Sequence, residues 1–318
     1  MIRFSVIPLM GLFMIGFIYF VIRSAYILYK RRERSRAWIR SRLFSWIAGN
    51  INMILHGRYG EISFHTGKDC LKPEQIVGMS VKKIQTISVC LIVQNAEDTI
   101  ELCLRSVEAF ADEIIVIDGG STDGTPDIVR TFTDKLIFNK WRGNHSEQRN
   151  IYLRHATGDW IFVIDADEFA PPGFRDFIPK FMNLDYVSYW FPRYWLLSNP
   201  DGLKVIKSDV LFPDYSHRLF RNRKNIYYRG EIHEELCGLK GKAAKLPDFP
   251  IYHMDLLLHN RDEREKKVEK YSARDLRSAG ETTYLFEEYP YQLTKVNSEA
   301  LGTLFNQWFS ENIKTMKK

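Results

Sequence analysis

From Thr86 onward the chain alternates short apolar runs with stretches whose apolar residues fall three and four positions apart. Residues 87–93 form a β-branched-rich run, and Ile100, Cys103, Leu104 and Val107 then mark one face of a helix. Residues 113–117 are a second apolar run, followed by a turn and a helix carrying Ile128, Val129 and Phe132. A shorter run at 136–138, a helix at 146–155 and a fourth run at 160–164 complete the series. Continuous apolar strands separated by helices predict an α/β fold with a mostly parallel sheet covered on both faces. In open sheets of this kind ligands lie beyond the carboxyl ends of the strands. The polar clusters fall there: Gln94, Asn95 and Glu97, then 118–123, then 165–168.

The N-terminal pattern differs. Residues 4–22 carry no charged side chain, and at 1.5 Å per residue they would span roughly 28 Å, close to a bilayer core. Only Arg3 precedes this run, whereas residues 23–42 hold eight basic residues against Glu33. That asymmetry favours a retained anchor over a cleaved signal peptide and places everything after it in the cytoplasm. The expected setting is therefore the inner (cytoplasmic) membrane, with a single pass and membrane lipid as a partner. Trp38, Ile39, Leu43, Phe44, Trp46, Ile47, Ile51, Ile54 and Leu55 recur at helical spacing, suiting a helix in the headgroup layer or one packed on the following domain. The expected organisation is an anchor with basic flank (1–30), a juxtamembrane helix and linker (31–84), a catalytic domain (85–260, with halves 85–170 and 171–260) and a C-terminal helical segment (261–318).

Composition changes the picture in one respect. The formal charge of +6 is accounted for by the basic block at 23–42, so the rest is near neutral and no nucleic-acid groove is implied. The four cysteines show no paired spacing and suit a reducing compartment, with Cys90 and Cys103 as small buried thiols.

Two polar clusters can be read chemically. In Asp118–Gly119–Gly120–Ser121–Thr122–Asp123, a carboxylate and two glycines stand where a strand meets a helix. Asp118 is placed to accept hydrogen bonds from a nucleobase or ribose, while Ser121 or Thr122 caps the next helix. Asp165–Ala166–Asp167–Glu168 sets three carboxylates directly after a buried strand. They repel one another unless a cation sits among them, and hard oxygen ligands suit Mg2+ or Mn2+, which also bridges diphosphates.

Taken in order, ISVCLIVQNAEDTIELCLRSV (87–107), EIIVIDGGSTDGT (113–125), EQRN (147–150) and GDWIFVIDADE (158–168) resemble the family 2 glycosyltransferases of GT-A fold. The resemblance implies that Asp118 meets the uracil or ribose of a nucleotide-sugar donor, with Gln94, Asn95 and Glu97 lining the nucleotide pocket. It implies that Arg149 lies near the donor. It also implies that Asp165 and Asp167 form the metal motif, with Asp167 the direct ligand, and that the anomeric configuration is inverted. PDYSHRLFRNRKNIYYRGEIHEEL (213–236) is similar to bacterial members related to lipopolysaccharide-core glucosyltransferases. By analogy Glu234 is the general base, with His233 orienting it or touching the donor phosphate. Arg218 would hold the diphosphate, and His253 or His233 would add a metal ligand.

The aromatics between Tyr186 and Tyr228 suit sugar stacking or core packing. The mixed charges after residue 260 suit a solvated helix face, although Lys267, Lys270 and Tyr271 resemble a K-x-x-K-Y element of the same subgroup that covers the site. The implied reaction is sugar transfer to a glycan or lipid-linked acceptor, lipopolysaccharide core included. The alternatives are a polyprenyl-phosphate or protein acceptor, or a non-catalytic membrane-anchored scaffold of the same fold. A dinucleotide oxidoreductase is excluded, since Gln94–Asn95–Ala96–Glu97 is unlike G-x-G-x-x-G.

Overall fold

The computed structural model describes residues 69–208, 212–231, 234–272, 284–288 and 291–316. The expected anchor at 4–22, the helix at 38–55 and His233 lie outside them. Among the described residues no helix is long and apolar enough to cross a membrane.

The main sheet runs in the order β1 (Asp69–Cys70), β12 (Ala243–Lys245), β7 (Ser188–Asn199), β9 (Asp214–Arg221), β5 (Trp160–Val163), β2 (Ile87–Val93), β3 (Glu113–Asp118) and β4 (Leu136–Phe138). Every neighbouring pair is parallel except those of β9, which runs antiparallel to both β5 and β7. The apolar runs of β2 and β3 are buried because both faces are covered. Val89, Leu91, Ile114 and Val116 pack toward α1 (Ile100–Glu108) and α4 (Phe174–Met182). Cys90, Ile115 and Ile117 pack with Tyr152 of α3 (His145–His155), beyond the short α2 (Thr125–Arg130). Each such side chain contributes about 1.5–3 kcal/mol on burial.

Three expectations are refined. Residues 69–84 are not only a linker: β1 extends the main sheet, and Ile76 is fully buried. Of the two roles open to the aromatics of the second half, most take the core one, with Tyr189 and Phe191 at 0% exposure, while Trp190 stacks on His217. The segment after 260 holds a strand as well as helices, β14 (Tyr291–Lys295) pairing antiparallel with β8 (Gly202–Ser208) ahead of α7 (Ser298–Met316). In α6 (Arg261–Ser272) two cations turn inward rather than to solvent. Arg264 bonds Glu287 at 2.6 Å, and Lys267 Nζ donates to the fully buried Asp255.

At the amino end of the sheet Glu113 pins three strands together. Its carboxylate accepts from Ser88 Oγ, from Thr157 N (2.6 Å) and Oγ1 (2.9 Å), from Gly158 N (3.2 Å) and from Lys135 Nζ. Burial alone would raise its pKa, but these donors hold it down at about 2. Because the folded value lies below the ordinary 4.5, the stabilisation is complete above about pH 4.5 and is lost as pH falls toward 2. Glu113→Gln should cost about 1–3 kcal/mol at pH 7, and urea melts between pH 7 and 3 should show the wild-type advantage shrinking as acid is added. A pH-independent difference would refute this account.

Candidate active site

The carboxyl ends of β2, β3 and β5 meet at one edge of the sheet, and the residues there divide into two groups. The first laces the turns. Asp118, 6% exposed, accepts through Oδ1 from Gly120 N (3.2 Å), Ser121 N (3.0 Å) and Ser121 Oγ (2.7 Å). Gln94 Nε2 donates to Gly119 O (3.3 Å). Asn95, at φ 51°, accepts from Thr122 N at 2.8 Å, and Glu97 Oε2 accepts from Gly124 N at 2.7 Å. These side chains thus hold the β2 and β3 turns against each other. Among the described residues the Asp118 Oδ2 atom accepts no hydrogen bond, which leaves it available to a ligand.

The second group is ionic. Asp165, just beyond β5, accepts from Arg149 Nη2 at 2.9 Å through Oδ1 and from Arg218 Nη2 at 2.7 Å through Oδ2. Arg149 also donates through Nε to Glu234 Oε1 (2.5 Å) and through Nη1 to Tyr152 Oη (3.3 Å). Arg218 also pairs with Glu168 (2.5 Å), whose second oxygen accepts Asp165 N–H at 3.0 Å. Burial pushes the Asp165 carboxyl up, but Arg218 and Arg149 override it and hold it well below the carboxylate range. Glu168, fully buried, goes the other way: burial, only partly offset by Arg218, raises it to about 7. Burial would raise Glu234 too, yet Arg149 and then His145 keep it lowered and ionised.

Local folding explains the convergence. Asn144 caps α3 by accepting Glu147 N–H at 3.0 Å, and Asn150 exchanges two bonds with the Tyr228 backbone (2.7 and 2.9 Å). Helix α3 therefore carries Arg149 and is clamped to β10 (Tyr227–Arg229), which forms a separate two-stranded sheet with β11 (Glu235–Cys237). Glu234 immediately precedes β11, and Arg218 arrives on β9.

Asp167 stands apart from both arginines. Its Oδ1 lies 3.6 Å from His253 Nε2, and among the described residues it makes no bond to arginine or lysine. His253, on β13 (Ile251–His253), is buried and stacked on Trp195 at 4.0 Å. Its Nδ1 accepts Asp255 N–H (3.2 Å), so the neutral ring carries its proton on Nε2, facing Asp167. Burial lowers the His253 pKa and favours that neutral form.

The three residues expected to hold a metal stand in different surroundings. Asp165 is engaged by two guanidiniums, and among the described residues no group of three His, Cys, Asp or Glu side chains is placed to hold an ion. Asp167 is the fitting donor that remains, because His253 Nδ1 is taken by Asp255 N–H and Nε2 carries the ring proton. One carboxylate suits Mg2+ or Mn2+ when substrate phosphates and water complete the shell. The sequence reading also missed Glu168, Asp255 and Lys267 as partners in this network. The acidic run 165–168 was visible, but nothing in spacing alone shows which of its carboxylates faces inward.

Residues 88–234 match the family model for glycosyl transferase family 2. That match covers just under half of the chain, and the mixed, mostly parallel sheet agrees with the GT-A fold that the resemblance implies. Among similar proteins, the SPβ prophage-derived glycosyltransferase SunS of Bacillus subtilis is 28% identical over 68% of this chain and 49% of its own length. A TPR repeat-containing protein of Synechococcus elongatus is 34% identical over 46% of this chain and 34% of its own. The lipopolysaccharide core biosynthesis glycosyltransferase LpsC of Rhizobium meliloti is 33% identical over 30% and 37%. The chain thus spans a third to a half of the length of these relatives. Among solved structures, glucosyl-3-phosphoglycerate synthase of Mycobacterium tuberculosis with Mn2+ and UDP-glucose is 26% identical over 36% of this chain and 45% of that one, with a TM-score of 0.31. The mannosyltransferase PcManGT of Pyrobaculum calidifontis with GDP-mannose and Mn2+ is 14% identical over 77% and 78%, with a TM-score of 0.43.

The two acidic residues of the glycosyltransferase motif should separate in a stability assay. Asp165→Ala leaves two buried arginines short of a partner and should cost about 3 kcal/mol, the low end for a broken buried pair because Asp165 keeps some exposure. Asp167→Ala should cost less than about 1 kcal/mol, since it breaks no arginine contact. Equal urea midpoints for the two variants would show that the arginines do not depend on Asp165.

Proposed function

We propose that the chain is an inverting, metal-dependent glycosyltransferase. It moves a sugar from a nucleotide sugar, UDP-linked by family habit, to a lipid-linked or lipopolysaccharide-core acceptor at the cytoplasmic face of the membrane. The observation that carries this reading is the pairing of Arg149 with both Asp165 and Glu234. It joins the end of the donor half to Glu234 of the acceptor half. The lipid acceptor rests on the apolar run at 4–22, which would hold the site near an interfacial substrate, and on the name borne by the relative LpsC.

In this reading Glu234 takes the proton of the acceptor hydroxyl while the oxygen attacks the anomeric carbon from the face opposite the leaving group. The bond from that carbon to the diphosphate oxygen breaks, and the nucleoside diphosphate leaves with the electron pair. Glu234 is ionised, as a base must be, although Arg149 weakens its proton affinity. A proton acceptor held this way works only if its contact with Arg149 loosens when substrate enters. A divalent cation held by Asp167 would offset the charge on the departing diphosphate.

A panel of nucleotide sugars, offered to the purified full chain with Mn2+ or Mg2+, tests the reading by hydrolysis and thermal shift. One donor should raise the melting temperature and be hydrolysed. Glu234→Gln should lower kcat about 100-fold or more while donor KM changes little. A folded protein that answers to none of the donors would overturn the enzymatic reading, and an unchanged kcat in Glu234→Gln would move the base elsewhere.

A further inference from the structure

Two aromatic rings beside the Asp118 turn have no part in the chemistry above. Val93, Asp118 and Phe138 end their strands in one register row. Beyond β4 the chain is stitched back onto the turn, Asn139 N–H donating to Asp118 O and Trp141 N–H to Gly119 O, both at 2.8 Å. Trp141 comes in very close. A Cβ added at Gly119 would stand 3.3 Å from Trp141 Cβ, 3.3 Å from Val93 O and 3.4 Å from Gln94 Cβ. The missing side chain at Gly119 is what lets Trp141 Cβ approach the β3 turn this closely. Gly120, at φ +100°, faces the edge of the Phe138 ring, which stands 3.5 Å from the place its Cβ would take.

Both rings are accessible, and the indole is held in place. Phe138 is 68% exposed, a large apolar ring set at the outer side of the turn. The Trp141 indole is half-buried and meets His145 edge-on, centroids 4.7 Å apart at 63°. His145 is anchored in turn through its backbone N–H and its Nδ1, each 3.0 Å from Glu231 O. In the β2 turn Gln94, Asn95 and Glu97 are hydrogen-bonded to the neighbouring turn. An indole held in place before a ligand arrives loses little freedom on binding.

We propose that Trp141, flanked by Phe138, is the stacking surface for the nucleobase of the donor, beside the carboxylate of Asp118. The assignment rests on the nucleotide-sugar reading above and names the residues that meet the base. Asp118 then serves the polar edge of the base or its ribose, and Trp141 its face. A stacked base contributes through ring overlap and tolerates different bases, so Trp141 supplies affinity rather than choice among nucleosides.

Titration calorimetry on the full chain with Mn2+, using UDP and inorganic pyrophosphate as probes, tests the assignment. Trp141→Ala should weaken UDP binding about tenfold or more, the fold-change that loss of one stacked base implies. Trp141→Phe should stay within about threefold of wild type. Trp141→Leu, which keeps bulk without a π face, should lose as much as the alanine variant and replaces it if that variant does not fold. Pyrophosphate affinity should be the same in all of them. Equal UDP binding by wild type and Trp141→Leu would overturn the platform and leave sugar transfer standing. A parallel loss for pyrophosphate would overturn it too, by revealing general distortion. A wild-type chain that binds no nucleoside diphosphate removes the donor reading and the platform together.

Discussion

Two buried guanidiniums need negative charge beside them, and one carboxylate at the end of β5 touches both. Arg149 comes from α3, Arg218 from β9, and Asp165 sits between them with Glu168 and Glu234 as outer partners. Two cations thus face three acids. Of these acids Glu168 is the one that ends pushed up by burial, to about 7. Such a network is costly to leave incomplete. It ties together residues 149, 165, 218 and 234, which belong to different strands, helices and loops.

This arrangement separates two duties that a short acidic motif appears to merge. Asp165 keeps arginines in place, whereas Asp167, two residues on, faces a buried histidine and keeps solvent access. The β2 and β3 turns show a similar economy. Asp118, Asn95 and Glu97 spend one oxygen each on backbone N–H groups, which rigidifies the rim before any ligand arrives. A rim fixed in this way suits a site whose task is to hold a flexible diphosphate in one pose.

Much of the donor half was legible in the sequence because its signals are local. The runs at 87–93, 113–117, 136–138 and 160–164 match β2 to β5 to within a residue, and the helix at 146–155 differs from α3 only at its start. Both faces of the sheet are covered, so hydrophobic continuity alone was informative. The second half hid for the opposite reason. β9 and β7 mix buried and half-exposed positions, and β12 and β13 are three residues long, too short for any period to show. Candidate residues could be named from chemistry, but their pairing could not. Nothing in the spacing of Asp165, Arg149 and Arg218 says that one carboxylate answers two arginines. Likewise the charged run after residue 260 reads as a solvated face until Asp255 is seen buried beneath Lys267.

The antiparallel strand β9 has a consequence for how the chain can be divided. It enters the sheet between β5 and β7 and brings Arg218 with it, so the acceptor half is woven into the donor half rather than appended to it. A fragment ending near residue 170 would expose β5 as a raw edge, its ladder groups unpaired along Trp160, Ile161 and Phe162. Edges of that kind recruit other strands and aggregate. The boundary between the halves therefore marks a division of chemical labour and not of folding. Insertions or fusions are better tolerated outside the span from β2 to β13 than at the midpoint that the motifs suggest.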